Sequence, residues 1–304
     1  MQFLLCVVSH DAGGAEIISS HVRRQRLEPL FVLEGPARAI FERKLGALGT
    51  LALEDAIEQC DAVLCGTSWQ SDLEFRAIVL AQKRGKRSRA FLDHWVNYRE
   101  RFTRNGATVL PDEIWVGDSI AKSLADAAFP GMDVRNVGNP YFGDIMEEIA
   151  QRSAGRQPGA TGSVLYVCEP IREHALLRYG DERYWGYTEE EALRYFLDNT
   201  GVLGSGLDRI VIRRHPAETA GKYDWAAARS GIPVAFGRGR PLLEEILESD
   251  FVVGCSSMAM VVGLLAGKRV ISCIPPGGRG CTLPQTGIRT LQQMLAGRAA
   301  AGSR

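Results

Sequence analysis

Short, nearly continuous apolar runs alternate with longer amphipathic stretches through the first half of the chain. The pattern predicts strands at Phe3 to Val8, Leu30 to Leu33, Ala62 to Cys65, Arg89 to Leu92, Glu113 to Val116 and Val134 to Val137, with helices between most of them. Strands that are apolar on both faces and separated by helices belong to a parallel sheet covered on both sides. A second series predicts strands at Ser163 to Val167, Arg209 to Arg213, Ile232 to Phe236, Phe251 to Val253 and Arg269 to Ile274, with helices at Glu189 to Asp198, Pro241 to Glu248 and Met258 to Ala266. Between the two series QRSAGRQPGATG, Gln151 to Gly162, is polar, glycine-rich and carries a proline, the composition of a linker. Just upstream, in VGNPYFGD, Pro140 keeps a helix from starting earlier and Asn139 suits a turn. The expected architecture is α/β, with two Rossmann-like parallel-sheet domains at 1–150 and 163–304 joined by a linker at 151–162. They are expected to face a central cleft at the carboxyl ends of both sets of strands, where open α/β sheets bind ligands.

The length of 304 residues agrees with two domains rather than one ordinary core. Lys plus Arg equals Asp plus Glu at 36 each, so global charge gives nucleic-acid binding no support. Seven cysteines without a Cys-x-x-Cys pair argue against a disulfide framework and a zinc site, and a reducing cytoplasm is expected. The opening MQFLLCVVSHD lacks the basic start of a signal peptide and reads as a strand, and the longest apolar stretch, Phe251 to Gly267, is interrupted by GCSS. No membrane span is expected.

Four stretches carry candidate chemistry, each at the end of a predicted strand. In SHDAGGAE, His10 and Asp11 precede Gly13 and Gly14, which either allow a ligand close to the backbone at a helix N-terminus or make a tight strand-to-helix turn. In VIRRHPAE, Arg214, His215, Pro216 and Glu218 either aim cationic donors at a phosphate or stay on the surface with His215 capping a turn. In GCSSMAM, Gly254 leads to Ser256 and Ser257, whose hydroxyls and adjacent N–H groups suit phosphate oxygens; one of them would suffice as a cap. In AFLDHWVNY, Asp93 is a candidate general base flanked by His94, with Trp95 and Tyr98 as sugar-stacking faces; the alternative has Asp93 capping a helix and Trp95 in the core. Thr67, Ser68, Trp69 and Glu74 form a further polar set after the third strand, and Glu169 stands at the end of the first strand of the second series. The basic clusters His21 to Arg26 and Lys83 to Arg89 read as solvated faces or as loose, peripheral attraction to anionic lipid.

Together these residues resemble the GT-B glycosyltransferase superfamily, and within it the bacterial transferases of CMP-activated sialic and other nonulosonic acids, including the polysialyltransferases. His215-Pro216 and Ser256-Ser257 match that family's His-Pro and Ser-Ser motifs, and AFLDHWVNY looks like a divergent form of its third motif, with Asp93 kept and His94 and Trp95 in place of a second acid and a glycine. The resemblance implies a cytoplasmic, inverting glycosyltransferase of polysaccharide, lipid-linked or protein-linked glycans that needs no cofactor or metal. Asp93 and His215 would be catalytic. Arg214, Pro216, Glu218, Gly254, Ser256, Ser257 and Glu169 would hold the nucleotide-sugar donor, and His10, Asp11, Gly13, Gly14, Ser68, His94 and Trp95 would line the acceptor side. The absence of an Asp-x-Asp at a strand end agrees with metal independence. UDP-GlcNAc 2-epimerases share the fold but typically carry Gly-Gly-x-x-Glu-Glu where this chain has SSMAMVVG, and CDP-glycerol-type transferases share similar features. An epimerase or hydrolase of a nucleotide sugar, and a non-catalytic nucleotide-sugar-binding protein, are the alternatives.

Overall fold

The computed structural model describes residues 3–153, 162–237 and 239–302. The chain separates into two compact units, Met1–Asp144 and Ile145–Arg304. In the first, strands β1 (Leu5–Ser9), β2 (Leu30–Leu33), β3 (Ala62–Cys65), β4 (Arg87–Leu92), β7 (Glu113–Val116) and β8 (Asp133–Asn136) form one sheet; β5 (Thr103–Arg104) and β6 (Ala107–Thr108) form a separate small hairpin. Helices α1 (Ala12–Gln25), α2 (Gly35–Leu45), α3 (Leu53–Gln59), α4 (Leu73–Lys83), α5 (Tyr98–Arg101) and α6 (Ser119–Ala128) follow the strands, and α7 (Pro140–Ser153) runs across the boundary between the units. The strand order β2-β1-β3-β4-β7-β8 is parallel throughout. The chain leaves β1 for β2 on one side and then crosses to β3 on the other, so the order reverses between β1 and β3, the position where such sheets bind ligands beyond their strand ends.

The second unit repeats the plan without repeating the sequence. Its sheet joins β9 (Ser163–Val167), β10 (Arg209–Arg213), β11 (Val234–Phe236), β12 (Phe251–Gly254), β13 (Arg269–Ser272) and β14 (Ile288–Thr290) in the order β11-β10-β9-β12-β13-β14, again parallel. Helices α8 (Ile171–Tyr179), α9 (Glu189–Asp198), α10 (Trp225–Arg229), α11 (Leu242–Leu247), α12 (Met258–Leu265) and α13 (Leu291–Gly302) flank it. Here the order reverses between β9 and β12. Each unit has its own core: Val7, Ile18, Phe31, Phe41, Leu64 and Phe91 anchor the first, and Tyr166, Phe196, Ile212, Tyr223, Val253 and Ile271 the second.

The GT-B-like α/β fold class expected from the sequence is the one observed, and most strand positions agree within two residues. Several elements differ. The polar run at 151–162 does not begin as linker: α7 continues through Gln151 to Ser153, with Arg152 paired to Glu148 one turn back and to Glu244, while 154–161 lie outside the described residues. The start of α7 does fall at Pro140, and the Asn139 side chain accepts the N–H groups of Tyr141 and Phe142. The basic run Lys83 to Arg89 is not a free loop, because β4 begins at Arg87 and Arg89 pairs with buried Glu113. The other basic run lies in the last turns of α1, where Arg23 and Arg24 both bind Asp144 at 2.7 Å. Six of the seven cysteines are buried and all seven are free thiols. No described helix is long and apolar enough to cross a membrane.

Candidate functional site

In the first unit the strand ends at the order reversal carry a chain of polar contacts. The Ser68 hydroxyl donates to Asp11 Oδ1 at 2.6 Å, and His10 Nδ1 lies 3.0 Å from the same oxygen. The His10 ring packs where a Cβ on Gly35 would stand, so glycine with φ +52 at the start of α2 makes room for it. Gly14 has the same role toward β3: a Cβ there would meet Gly66 Cα at 3.3 Å, and its absence lets α1 approach the strand.

Beneath this chain lies Glu74, in the first turn of α4 and only 2% exposed. One carboxyl oxygen accepts the His10 N–H at 2.8 Å; among the described residues the other, and the buried Ser9 hydroxyl, have no hydrogen-bond partner. Burial pushes the Glu74 carboxyl up to about 7, with the His10 amide and imidazole opposing the rise and the Asp11 charge adding to it. A carboxyl balanced near neutrality behind a His–Asp–Ser chain has the proton affinity required of an acid–base group.

Asp93 lies at the end of β4 beside this chain. Its Oδ1 accepts from Arg101 at 2.6 Å, and Arg101 also donates to Thr67 Oγ1 at 2.9 Å and to the Thr67 carbonyl at 3.0 Å. Its Oδ2 occupies the space over Gly13, where a Cβ would come within 2.1 Å, so Gly13 is what admits the carboxylate to the N-terminus of α1. Asp93 does not cap the following helix, whose N-cap is Asn97. His94 Nδ1 accepts the Trp95 N–H at 3.0 Å, which puts the ring proton on Nε2, and burial holds the imidazole below its ordinary value despite the Asp93 charge.

Two sequence expectations are corrected here. Trp95 and Tyr98 are not open faces for a sugar: they are 8% and 6% exposed. The Trp95 indole donates to Asp118 at 2.9 Å, and the Tyr98 ring stacks on Phe129. Both belong to the packing between the β4–α5 turn and α6; for Trp95 this is the alternative reading of the stretch, whose other half, Asp93 as a helix cap, does not hold.

In the second unit the ends of β10, β9 and β12 lie side by side in the strand order. The turn after β10 is held by Glu218, which accepts the His215 N–H at 2.9 Å, the Lys222 ammonium at 2.9 Å and the Tyr223 hydroxyl. Lys222 also binds Glu189. Burial alone would lower the Lys222 ammonium, but these carboxylates hold it above its ordinary value. The carboxylate of Glu218 is thus spent inside the unit, and it orients His215 rather than presenting itself to a donor. Arg213 turns to Glu245 at 2.6 Å, leaving Arg214 and His215 at the strand end; Arg214 donates to the Glu218 carbonyl at 3.4 Å. The residue Pro216 is exposed in the turn. His215 Nδ1 accepts the Ala217 N–H at 3.2 Å, so the neutral ring carries its proton on Nε2.

At β12, Gly254 is required by packing, since a Cβ would strike Val167 Cγ2 at 2.7 Å. Ser257 is the N-cap of α12 and accepts the Ala259 N–H at 3.2 Å, while Ser256 Oγ accepts the Thr282 N–H at 3.2 Å. Each hydroxyl accepts from the backbone and keeps its own O–H to donate. The N–H groups of Cys255 and Ser256 are directed at Glu169, at 3.0 and 2.9 Å. Burial raises that carboxyl to about 6, against the pull of these amides. The expected donor-binding Glu169 therefore occupies part of the amide cradle that the sequence assigned to phosphate, and as a carboxylate it opposes an anion there. Among the described residues no group of three or more His, Cys, Asp or Glu is arranged to hold a metal ion.

Sequence reasoning missed Arg101, Lys222, Tyr223, Glu189 and His174. A signal for one network existed: HPAE is followed by Lys222 and Tyr223, four and five residues after Glu218, a spacing that lets a buried acid collect its partners locally.

No family profile matches the sequence, and no curated protein matches it in sequence. Solved structures do match in fold. A UDP-GlcNAc 2-epimerase from Neisseria meningitidis, bound to UDP-GlcNAc, superposes with a TM-score of 0.61 at 12% identity over 98% of this chain and 91% of that one. The Methanocaldococcus jannaschii UDP-GlcNAc 2-epimerase gives 0.62 at 10% over 98% and 92%. The glycotransferase of kitacinnamycin gives 0.54 at 16% over 100% and 90%. At these identities the likeness establishes a two-unit fold of the GT-B type.

Proposed function

We propose that the chain is an enzyme that acts on a nucleotide-activated sugar and releases the nucleoside phosphate from the anomeric carbon. The observation that carries this reading is the strand-end surface of the second unit, where the Ser256 and Ser257 hydroxyls and the Nε2–H of His215 are donors gathered around the β9–β12 order reversal. When the anomeric C–O bond breaks, negative charge develops on the phosphate, and fixed donors are worth most at that moment. Fixed protein donors rather than a metal ion hold the phosphate in this reading. The first unit, taken by itself, carries groups suited to moving protons: Asp93 held by Arg101, the His10–Asp11–Ser68 chain, and Glu74 behind it.

The fold neighbours that act on UDP-GlcNAc support a UDP-N-acetylhexosamine as substrate and 2-epimerisation or hydrolysis as the reaction. This reading takes precedence over transfer of a CMP-activated nonulosonic acid. Transfer to a glycan, lipid-linked or protein acceptor is the second reading, with Asp93 as base toward the acceptor hydroxyl. One observation favours it: α12 (Met258–Leu265) is wholly uncharged, without the carboxylates that the Gly-Gly-x-x-Glu-Glu run gives an epimerase. Phosphorus and proton NMR of the chain with UDP-GlcNAc and with CMP-sialic acid, each with and without an acceptor panel, separates the readings. Free UDP or a C2-inverted sugar without acceptor supports the first; nucleotide release only with acceptor supports the second; no turnover of either donor contradicts both.

A further inference from the structure

We propose that Arg104 is a positioning residue of the first unit, one that acts through the Ser68 hydroxyl on the His10–Asp11–Ser68 chain. Its role in turnover rests on the functional reading above; the clamp itself rests on geometry within this unit. The stretch TRNGAT folds back on itself. Asn105 and Gly106, at φ 50° and 78°, make the two-residue turn between β5 and β6, a conformation that Asn-Gly favours. Arg104 stands directly before that turn and reaches the β3–α4 loop, 66–72. Its Nη1 donates to the Thr103 carbonyl at 2.9 Å, its Nε binds Asp72 at 2.7 Å, and the guanidinium lies 5.8 Å from the centre of the Phe75 ring. With the group oriented in this way, Nη2 donates to the carbonyls of Ser68 at 2.6 Å and Ser71 at 3.1 Å.

Those two carbonyls are the ends of a turn that Ser68 closes from inside. The Ser68 hydroxyl accepts the N–H groups of Gln70 and Ser71, each at 3.1 Å, which occupies both of its lone pairs. Its single proton is left to Asp11, at 2.6 Å. The direction of that hydrogen bond is therefore set by the shape of the turn, and Arg104 holds the turn at both ends. Arg101, three residues earlier, grips the neighbouring Thr67 and reaches Asp93 directly. Arg104 works at one remove from the same groups. The ion pair with Asp72 is not the clamp: Asp72 is 68% exposed, and a pair so open to water contributes little.

Amide hydrogen exchange and steady-state kinetics of the full chain, with UDP-GlcNAc and CMP-sialic acid as donors, test the assignment in a double-mutant cycle of Arg104→Met and Ser68→Ala. Arg104→Met is expected to exchange the Gln70 and Ser71 amides about tenfold faster and to lower kcat about tenfold, with KM near that of the wild type. Because Arg104 acts through Ser68, the double variant is expected to turn over no more slowly than Ser68→Ala alone. Asp72→Asn is expected to match the wild type in both readouts. Unchanged amide exchange in Arg104→Met, fully additive losses in the double variant, or an Asp72→Asn as impaired as Arg104→Met overturns the proposal, while turnover by the wild type leaves the functional reading standing. If the wild type turns over neither donor, the functional reading falls and the role of Arg104 in turnover falls with it; faster exchange in Arg104→Met then supports the clamp alone.

Discussion

Replacing Glu74 with glutamine removes a charge while keeping the shape and the acceptor for the His10 N–H. The carboxyl is 2% exposed, and burial moves it from 4.5 to about 7. Between those values the unfolded chain is ionised at this position while the folded chain is protonated. The contribution to stability is thus fully present below pH 4.5, falls as pH rises toward 7, and is level above. Each tenfold change in proton affinity is worth about 1.4 kcal/mol, so the loss across this window is roughly 3 kcal/mol. Glutamine cannot ionise, and the stability of Glu74→Gln relative to the wild type should therefore improve by about that amount from pH 4.5 to pH 7.5. Urea unfolding across this range reads the difference. It is best followed by fluorescence with Trp185 and Trp225 replaced by Phe, which leaves Trp69, Trp95 and Trp115 to report on the first unit. A pH-independent difference would refute the reasoning, because it would mean that Glu74 ionises in the folded chain as readily as in the unfolded one.

Other outcomes follow from the same geometry. Gly13→Ala should push the Asp93 tip off its place beside Arg101, because the new Cβ would stand 2.1 Å from Oδ2; turnover falls by at least tenfold while nucleotide affinity, measured by calorimetry, is unchanged. Gly254→Ala meets Val167 Cγ2 at 2.7 Å and the Met260 sulfur at 3.2 Å, and should destabilise the second unit by about 1–3 kcal/mol in thermal unfolding. Glu169→Gln removes a carboxylate from the N–H groups of Cys255 and Ser256 and should tighten nucleotide binding about tenfold above pH 6, with little change below, where the wild-type acid is already protonated. Asp93→Asn should abolish turnover and leave nucleotide binding intact; unchanged turnover would remove it as an acid–base group.

The fold was legible because the apolar runs that become β1, β3, β9 and β12 are buried on both faces and so stand out without alternation. The strand-end placement of His10, Asp93, His215 and Ser256 followed from the same runs. What the sequence could not convey is where side chains point once distant segments meet. Trp95 and Tyr98 look available beside Asp93, but Asp118 and Phe129, which flank α6 at its two ends, enclose them. Glu169 reaches amides 86 and 87 residues downstream because β9 and β12 are neighbours in the sheet, a pairing that local pattern does not encode. Glu74 was visible as part of a polar set, but its burial and its unusual proton affinity depend on the approach of α4 to β1 and β3.

Whether the second unit holds a nucleoside phosphate at its strand ends is read from calorimetric titration of the full chain with UDP, CMP, CDP and GDP, with and without magnesium. Saturable binding of a pyrimidine nucleotide is expected, indifferent to magnesium and weakened at least tenfold in Ser256→Ala combined with His215→Ala. Absence of binding by every nucleotide, or binding that the double variant retains in full, would contradict it.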